Sequence, residues 1–115
     1  MRGDRGAVTV EAAIALGAVV MVLALVLTGI AAVTEQVRCV DAAREAARLA
    51  ARGEPERGQA AAAAIAPDGA EVTVTRSGDE ITATVRVPAA AGLLPGVTLS
   101  ADAYAIAEPE EVVVP

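Results

Sequence analysis

The order of apolar and polar positions divides the chain into three regimes. Residues 12–33 are a stretch of 22 residues with no charge, and about 20 apolar residues suffice to carry a helix across the hydrocarbon core of a bilayer. A cleaved secretory signal has an apolar region of only about 7–15 residues, so the stretch predicts a membrane span. No helix stop follows it. Val33, Val37, Val40, Ala43, Ala47 and Ala50 keep helical spacing, opposed by a wet face of Asp41, Glu45, Arg48 and Arg52. The pattern predicts one helix of roughly 45 residues over 7–51, about 68 Å long. Its first half crosses the membrane and its second half is amphipathic. Glu45 with Arg48 and Asp41 with Arg44 stand at i,i+3 spacing, each pair worth a few tenths of a kcal/mol. Gly53 ends the helix, and the arginines of its last turns suit the helix dipole.

Pro55 suits the first turn of a second, short helix over 56–66, stopped by Pro67-Asp68-Gly69. Its alanines make it easy to form and poor at burying area, so it is expected to pack back on the first helix. Beyond Gly69 the period becomes two. Ala70, Val72 and Val74 alternate with Glu71, Thr73 and Thr75, and Ile81, Ala83, Val85 and Val87 alternate with Thr82, Thr84 and Arg86. The turn between these strands is expected at residues 76–80. Pro88 closes the second strand, a loop over 89–96 follows, and a third strand is expected over 97–107. An isolated hairpin is marginal in water, so the apolar face of this sheet is expected on the amphipathic half of the long helix. The fold class is α+β, with a long helix, a short helix and a small antiparallel sheet of about three strands. The expected divisions are 1–6, polar and too short to fold; 7–33, the span; 34–67, the helical extension and second helix; 68–107, the β region; and 108–115, a loose tail.

Composition weakens the expected core. After the span 82 residues remain, and the chain has one Tyr and no Phe or Trp, so aliphatic residues carry the packing and bury little area each. The net charge of −6 comes from the part after the span, where seven arginines meet thirteen acids. An acidic exported face argues against nucleic acid as a partner, because phosphates demand clustered basic surface. Arg2, Arg5 and the amino terminus outweigh Asp4 on the short flank, which by the positive-inside rule puts the N-terminus in the cytoplasm, although Arg38 and Arg44 reduce the asymmetry.

The parts for catalysis are missing. The chain has no His, no Lys and a single Cys, which starves triads, zinc sites and Schiff-base chemistry. The glycines form no phosphate loop. The carboxylate pairs Asp79-Glu80 and Glu110-Glu111 fall in a turn and in the tail, where solvated loop charge is the ordinary reading. The expectation is no enzyme, no metal, no cofactor and no small-molecule substrate. Cys39 reads as a small apolar residue against a neighbouring helix, or as a thiol that bridges to a partner subunit. Ala13 and Gly17, then Ala24, Thr28 and Ala32, place small residues every four positions, a spacing that lets helices approach in lipid and that also arises by chance in an Ala-rich helix.

One acid, Glu11, stands at the entrance to the span. From the residues alone it either sits in the headgroup zone with Arg2, Asp4 and Arg5, or does work that offsets the cost of an acid near lipid. The stretch Arg5-Gly6-Ala7-Val8-Thr9-Val10-Glu11 resembles the cleavage region of class III signal peptides in type IV pilin-like proteins. With Ala12-Ala13 and the later Val40-Asp41-Ala42-Ala43-Arg44-Glu45-Ala46-Ala47-Arg48, it is similar to TadE-like minor pilins and pseudopilins of tight-adherence (Flp) pilus systems, over about residues 5–52.

That resemblance implies a leader cut between Gly6 and Ala7 by a prepilin peptidase, and a Glu11 that meets the new amino group of Ala7 on a neighbouring subunit. It further implies lipid, the peptidase, other pilins and the pilus assembly platform as partners, and residence in the cell membrane or the pilus. An exported domain of this size fits a minor or initiating subunit better than the thinnest homopolymer. Two alternatives stand beside it. One is an uncut single-span protein whose exported module binds another envelope protein; the other is a protein cut near Ala31 or Ala32 and secreted.

Overall fold

The computed structural model describes residues 2–109. Met1 and most of the expected tail, including Glu110-Glu111, lie outside the described residues. The chain forms two compact units that divide after Ala31.

Helix α1 (Arg2–Ala51) runs through the apolar stretch and on into the polar one. The expectation that the leader would not fold is corrected over residues 2–6, which are the first turns of α1. Each residue added to an existing helix gains a hydrogen bond without a new nucleation cost, and Asp4 in the first turn suits the positive end of the dipole. In the first unit the described side chains are exposed as far as Leu27. α1 is the one helix among the described residues long and apolar enough to cross a membrane.

The second unit builds on the remainder of α1. Gly53, at φ 84°, turns the chain out of the helix, and α2 (Pro55–Ile65) follows with Pro55 in its first turn and Glu56 at its acidic start. Three antiparallel strands succeed it in the spatial order β1 (Glu71–Ser77), β2 (Glu80–Pro88) and β3 (Thr98–Ile106). A short 3-10 helix, Ala89–Gly92, begins the connection from β2 to β3. The fold is α+β, with the long helix, short helix and three-stranded sheet expected from the pattern. Both α2 and β3 fall within one residue of the expected bounds. The first turn is tighter than expected. Ser77 pairs with Glu80, so the strands run to a turn at Gly78-Asp79, where Gly78 takes φ 63° that a side chain would strain.

Register sets the two faces of the sheet. Val72 pairs with Val85 and Val85 with Ala101, while Val74 pairs with Ala83 and Ala83 with Ala103. This face packs on the helices, and its core joins Cys39, Ala42, Ala43, Ala46 and Ala47 of α1 to Ala62, Ala66, Val85, Val87 and Ala101. The opposite face carries Thr73, Thr84 and Asp102 in one row and Thr75, Thr82 and Tyr104 in the next.

The buried stripe of α1 is a second correction. Of the expected apolar positions Ala43, Ala47 and Ala50 are buried, but Val33 is 65% and Val37 54% exposed, and Cys39, Ala42 and Ala46 are buried instead. Small side chains allow the closest approach. A Cβ on Gly58 of α2 would lie 2.8 Å from the Ala46 carbonyl oxygen and 3.3 Å from the Leu49 Cβ, so α2 lies against the alanine face, not the valine positions. Of the expected ion pairs, Glu45 and Arg48 form a bidentate contact at 2.6 and 3.0 Å. No ion pair joins Asp41 to Arg44 among the described residues.

Candidate functional site

The residues that carry the pilin-like pattern lie in the first turns of α1. Ala7 and Glu11, at i,i+4, share one side of the helix, and at 100° per residue Ala13 and Gly17 lie about 200–240° around from Glu11. The acid and the small-residue pair therefore face different directions. Gly6 and Gly17 have nothing within 4 Å of where a Cβ would stand, so packing inside the chain does not require glycine at either. Glu11 makes no hydrogen bond or ion pair among the described residues and is exposed. Two hydroxyls along this helix are satisfied locally, Thr9 Oγ1 donating to the Arg5 carbonyl at 2.9 Å and Thr28 Oγ1 to the Ala24 carbonyl at 2.8 Å, as a hydroxyl in an apolar surrounding needs to be.

Cys39 is fully buried in the second unit. Burial pushes its thiol pKa up, the nearby Glu35 adds to the rise and Arg38 opposes it, so the sulfur is held in the neutral form. A bridge to a partner through this thiol requires that part of the module to open. The described residues include no group of His, Cys, Asp and Glu arranged to hold a metal ion. Asp79 and Glu80 flank an open groove with Tyr104, Ala105 and Ile106, and the side chain of Asp79 is 85% exposed.

Set beside known proteins, the chain is 50% identical over 99 residues to a protein of Mycobacterium tuberculosis (strain ATCC 25618 / H37Rv) named apoptosis inhibitor Rv3655c, a match covering 86% of this chain and 78% of the relative. The chain belongs to the family of that protein. No family model matches it, and no solved structure does.

In this family member the structure also gives roles to three residues that the sequence pattern passed over. Glu35 accepts the backbone N–H of Ala90 at 2.9 Å. Gln36 Nε2 donates to the carbonyl of Ser100 at 3.1 Å. Arg38 donates to the carbonyls of Ile65 and Ala66 at 3.0 and 3.2 Å, which satisfies the orphan acceptors at the end of α2. Together they tie the start of the module to its sheet and second helix. The signal available was their place, the first cluster of long polar side chains after an uncharged stretch.

Proposed function

We propose that this family member is a minor pilin or pseudopilin-like subunit, inserted with its N-terminus in the cytoplasm, cut between Gly6 and Ala7 by a prepilin peptidase, and taken into assembly of a Flp-type pilus. The observation that carries the reading is Gly6. Glycine inside a helix costs about 1 kcal/mol relative to alanine, nothing in the packing needs it, and it stands five residues before an acid for which the described residues supply no partner, at the head of an apolar helix. A cleavage step gives both residues a use. Cutting frees the amino group of Ala7, and in a lipid-like filament core this cation and the Glu11 carboxylate of a neighbouring subunit stabilise each other where either alone is expensive. Their pairing fixes the axial register of neighbouring helices. The partners of this reading are membrane lipid, the peptidase, other pilins and the assembly platform.

A second reading keeps the membrane-anchored module unprocessed and has it bind another protein. The deciding measurement is the mass and N-terminal sequence of the mature protein, expressed with and without a prepilin peptidase. A start at Ala7 only when the peptidase is present supports the pilin route. An intact N-terminus overturns it in favour of the anchored binding module, and a start near Val33 marks a secreted protein.

A further inference from the structure

The second unit has a distinct end where α1 leaves the uncharged stretch. Val33 is the last residue of that stretch and Glu35 the first charge after it, and both belong to this unit. The contacts fix which parts of the sheet lie beside that turn. Glu35 holds the N–H of Ala90, and Gln36 holds the carbonyl of Ser100. About 24 Å further along α1, the carbonyl of Ala51 accepts the N–H of Glu108, and next to it Asp79 accepts the N–H of Ala107. The connection from β2 to β3 therefore lies at the span's end of the module, and the β1–β2 turn lies at the far end.

That connection is unusual for a surface loop. Its residues 88–97 read Pro-Ala-Ala-Ala-Gly-Leu-Leu-Pro-Gly-Val, ten positions without one polar side chain, in a region that otherwise carries all the net negative charge. Leu93 is 76% exposed and Val97 46%. Several of its backbone groups are paired. The N–H of Ala89 bonds to the carbonyl of Val97, that of Leu93 to Ala90 and that of Val97 to Leu94, Ala90 donates to Glu35, and Pro95 has no N–H. A segment that exposes Leu93 and Val97 and pairs several of its donors suits the boundary of a bilayer, where unmet backbone groups are costly.

We propose that this loop, led by Leu93 with Val97 beside it, is a second membrane contact that inserts into the outer edge of the bilayer. The occupant follows from continuity. Twenty-two uncharged residues cover about 33 Å, the full thickness of a hydrocarbon core of about 30 Å, which sets Val33 at its edge and Glu35 among the headgroups. The loop fastened to Glu35 is at the same level. Exposed Val33 and Val37 extend the apolar surface at this end. The contact rests on residues 12–33 being a membrane span, and on neither cleavage nor pilus assembly.

The chain contains no Trp, so single tryptophans report position directly. Full-length Leu93→Trp, Asp79→Trp and Val22→Trp variants are reconstituted into phosphatidylcholine–phosphatidylglycerol vesicles and exposed to brominated acyl chains or to aqueous iodide. The expected result is that Trp at 93 and at 22 loses most of its emission to the brominated lipid and resists iodide, whereas Trp at 79 does the reverse. If position 93 behaves like 79 while 22 remains lipid-quenched, the loop contact is overturned and the span stands. Iodide access at 22 removes the span, and the loop contact with it. Protection of 93 from both quenchers means that protein covers the loop, which also overturns the proposal.

Discussion

At Gly58 a single hydrogen atom decides how closely two helices meet. Replacing glycine by alanine inside a helix ordinarily gains up to about 1 kcal/mol, but here the new Cβ would stand 2.8 Å from the Ala46 carbonyl oxygen, and overpacking of this kind costs about 1–3 kcal/mol. The steric cost wins. Gly58→Ala is expected to lower the thermal midpoint of the module, and a midpoint unchanged or raised in a circular-dichroism melt would show that α2 can shift. Cys39 has its thiol pKa raised by burial, so its contribution to stability is complete below the ordinary thiol value and is lost as pH rises through the higher folded value. Its alkylation at neutral pH is expected to be slow in the native protein and fast in denaturant, and equal rates would contradict the burial. Glu45 has its pKa lowered by the hydrogen bond from Arg48, which reverses the direction: its contribution is present above the ordinary carboxylate value and fades as pH falls. Because the pair lies at the surface, that effect is small. If Glu11 sets subunit register as proposed, its substitution by alanine is expected to leave insertion and cleavage intact and to abolish entry into the assembly. Normal assembly by that variant would reduce Glu11 to an interfacial charge.

Among the elements, α2 depends most on its neighbours. Glu54, which precedes its first turn, gives no side-chain cap, and its alanine run buries little, so the closing contact is Arg38 on the carbonyls of Ile65 and Ala66. Arg38→Ala removes a charged donor from the negative end of the helix dipole as well as two hydrogen bonds. A loss of about 1 kcal/mol is expected, with faster amide exchange in the last turn of α2 than in β2; exchange unaltered there would place the cap elsewhere. The strands were legible because their period of two is strong. The tight turn was less so, since extension of the ladder through Arg76–Ile81 to Ser77–Glu80 depends on Gly78 adopting a positive φ, which the flanking polar residues did not announce. The sequence pattern points to a stripe through the valines, whereas the stripe that α1 buries is centred one position toward the N-terminus, on Cys39, Ala42 and Ala46, because hydrophobicity alone ranks Val above Ala and close helix packing ranks them the other way.

For the whole molecule, the core of residues 32–109 is closed on itself and made largely of alanine, with Ile81, Val85 and Cys39 the largest fully buried side chains. So small a core has few replaceable parts. Val85→Ala is expected to cost roughly 2 kcal/mol, a large share of the stability of a domain this size, read as a lower urea midpoint at unchanged slope. The sequence by itself determined the uncharged helix, the order of elements and the two faces of the sheet, because periodicity and charge are local and repeat over many residues. It also displayed Gly6 and Glu11, whose pattern needs no tertiary partner. Tertiary structure alone decided which side of α1 is buried, that Cys39 is enclosed, that Glu35, Gln36 and Arg38 fasten the module, and that the apolar loop at Leu93 lies beside the end of the uncharged stretch. Each of those depends on residues far apart in the chain meeting at distances set by side-chain volume and strand register, quantities that no single segment carries.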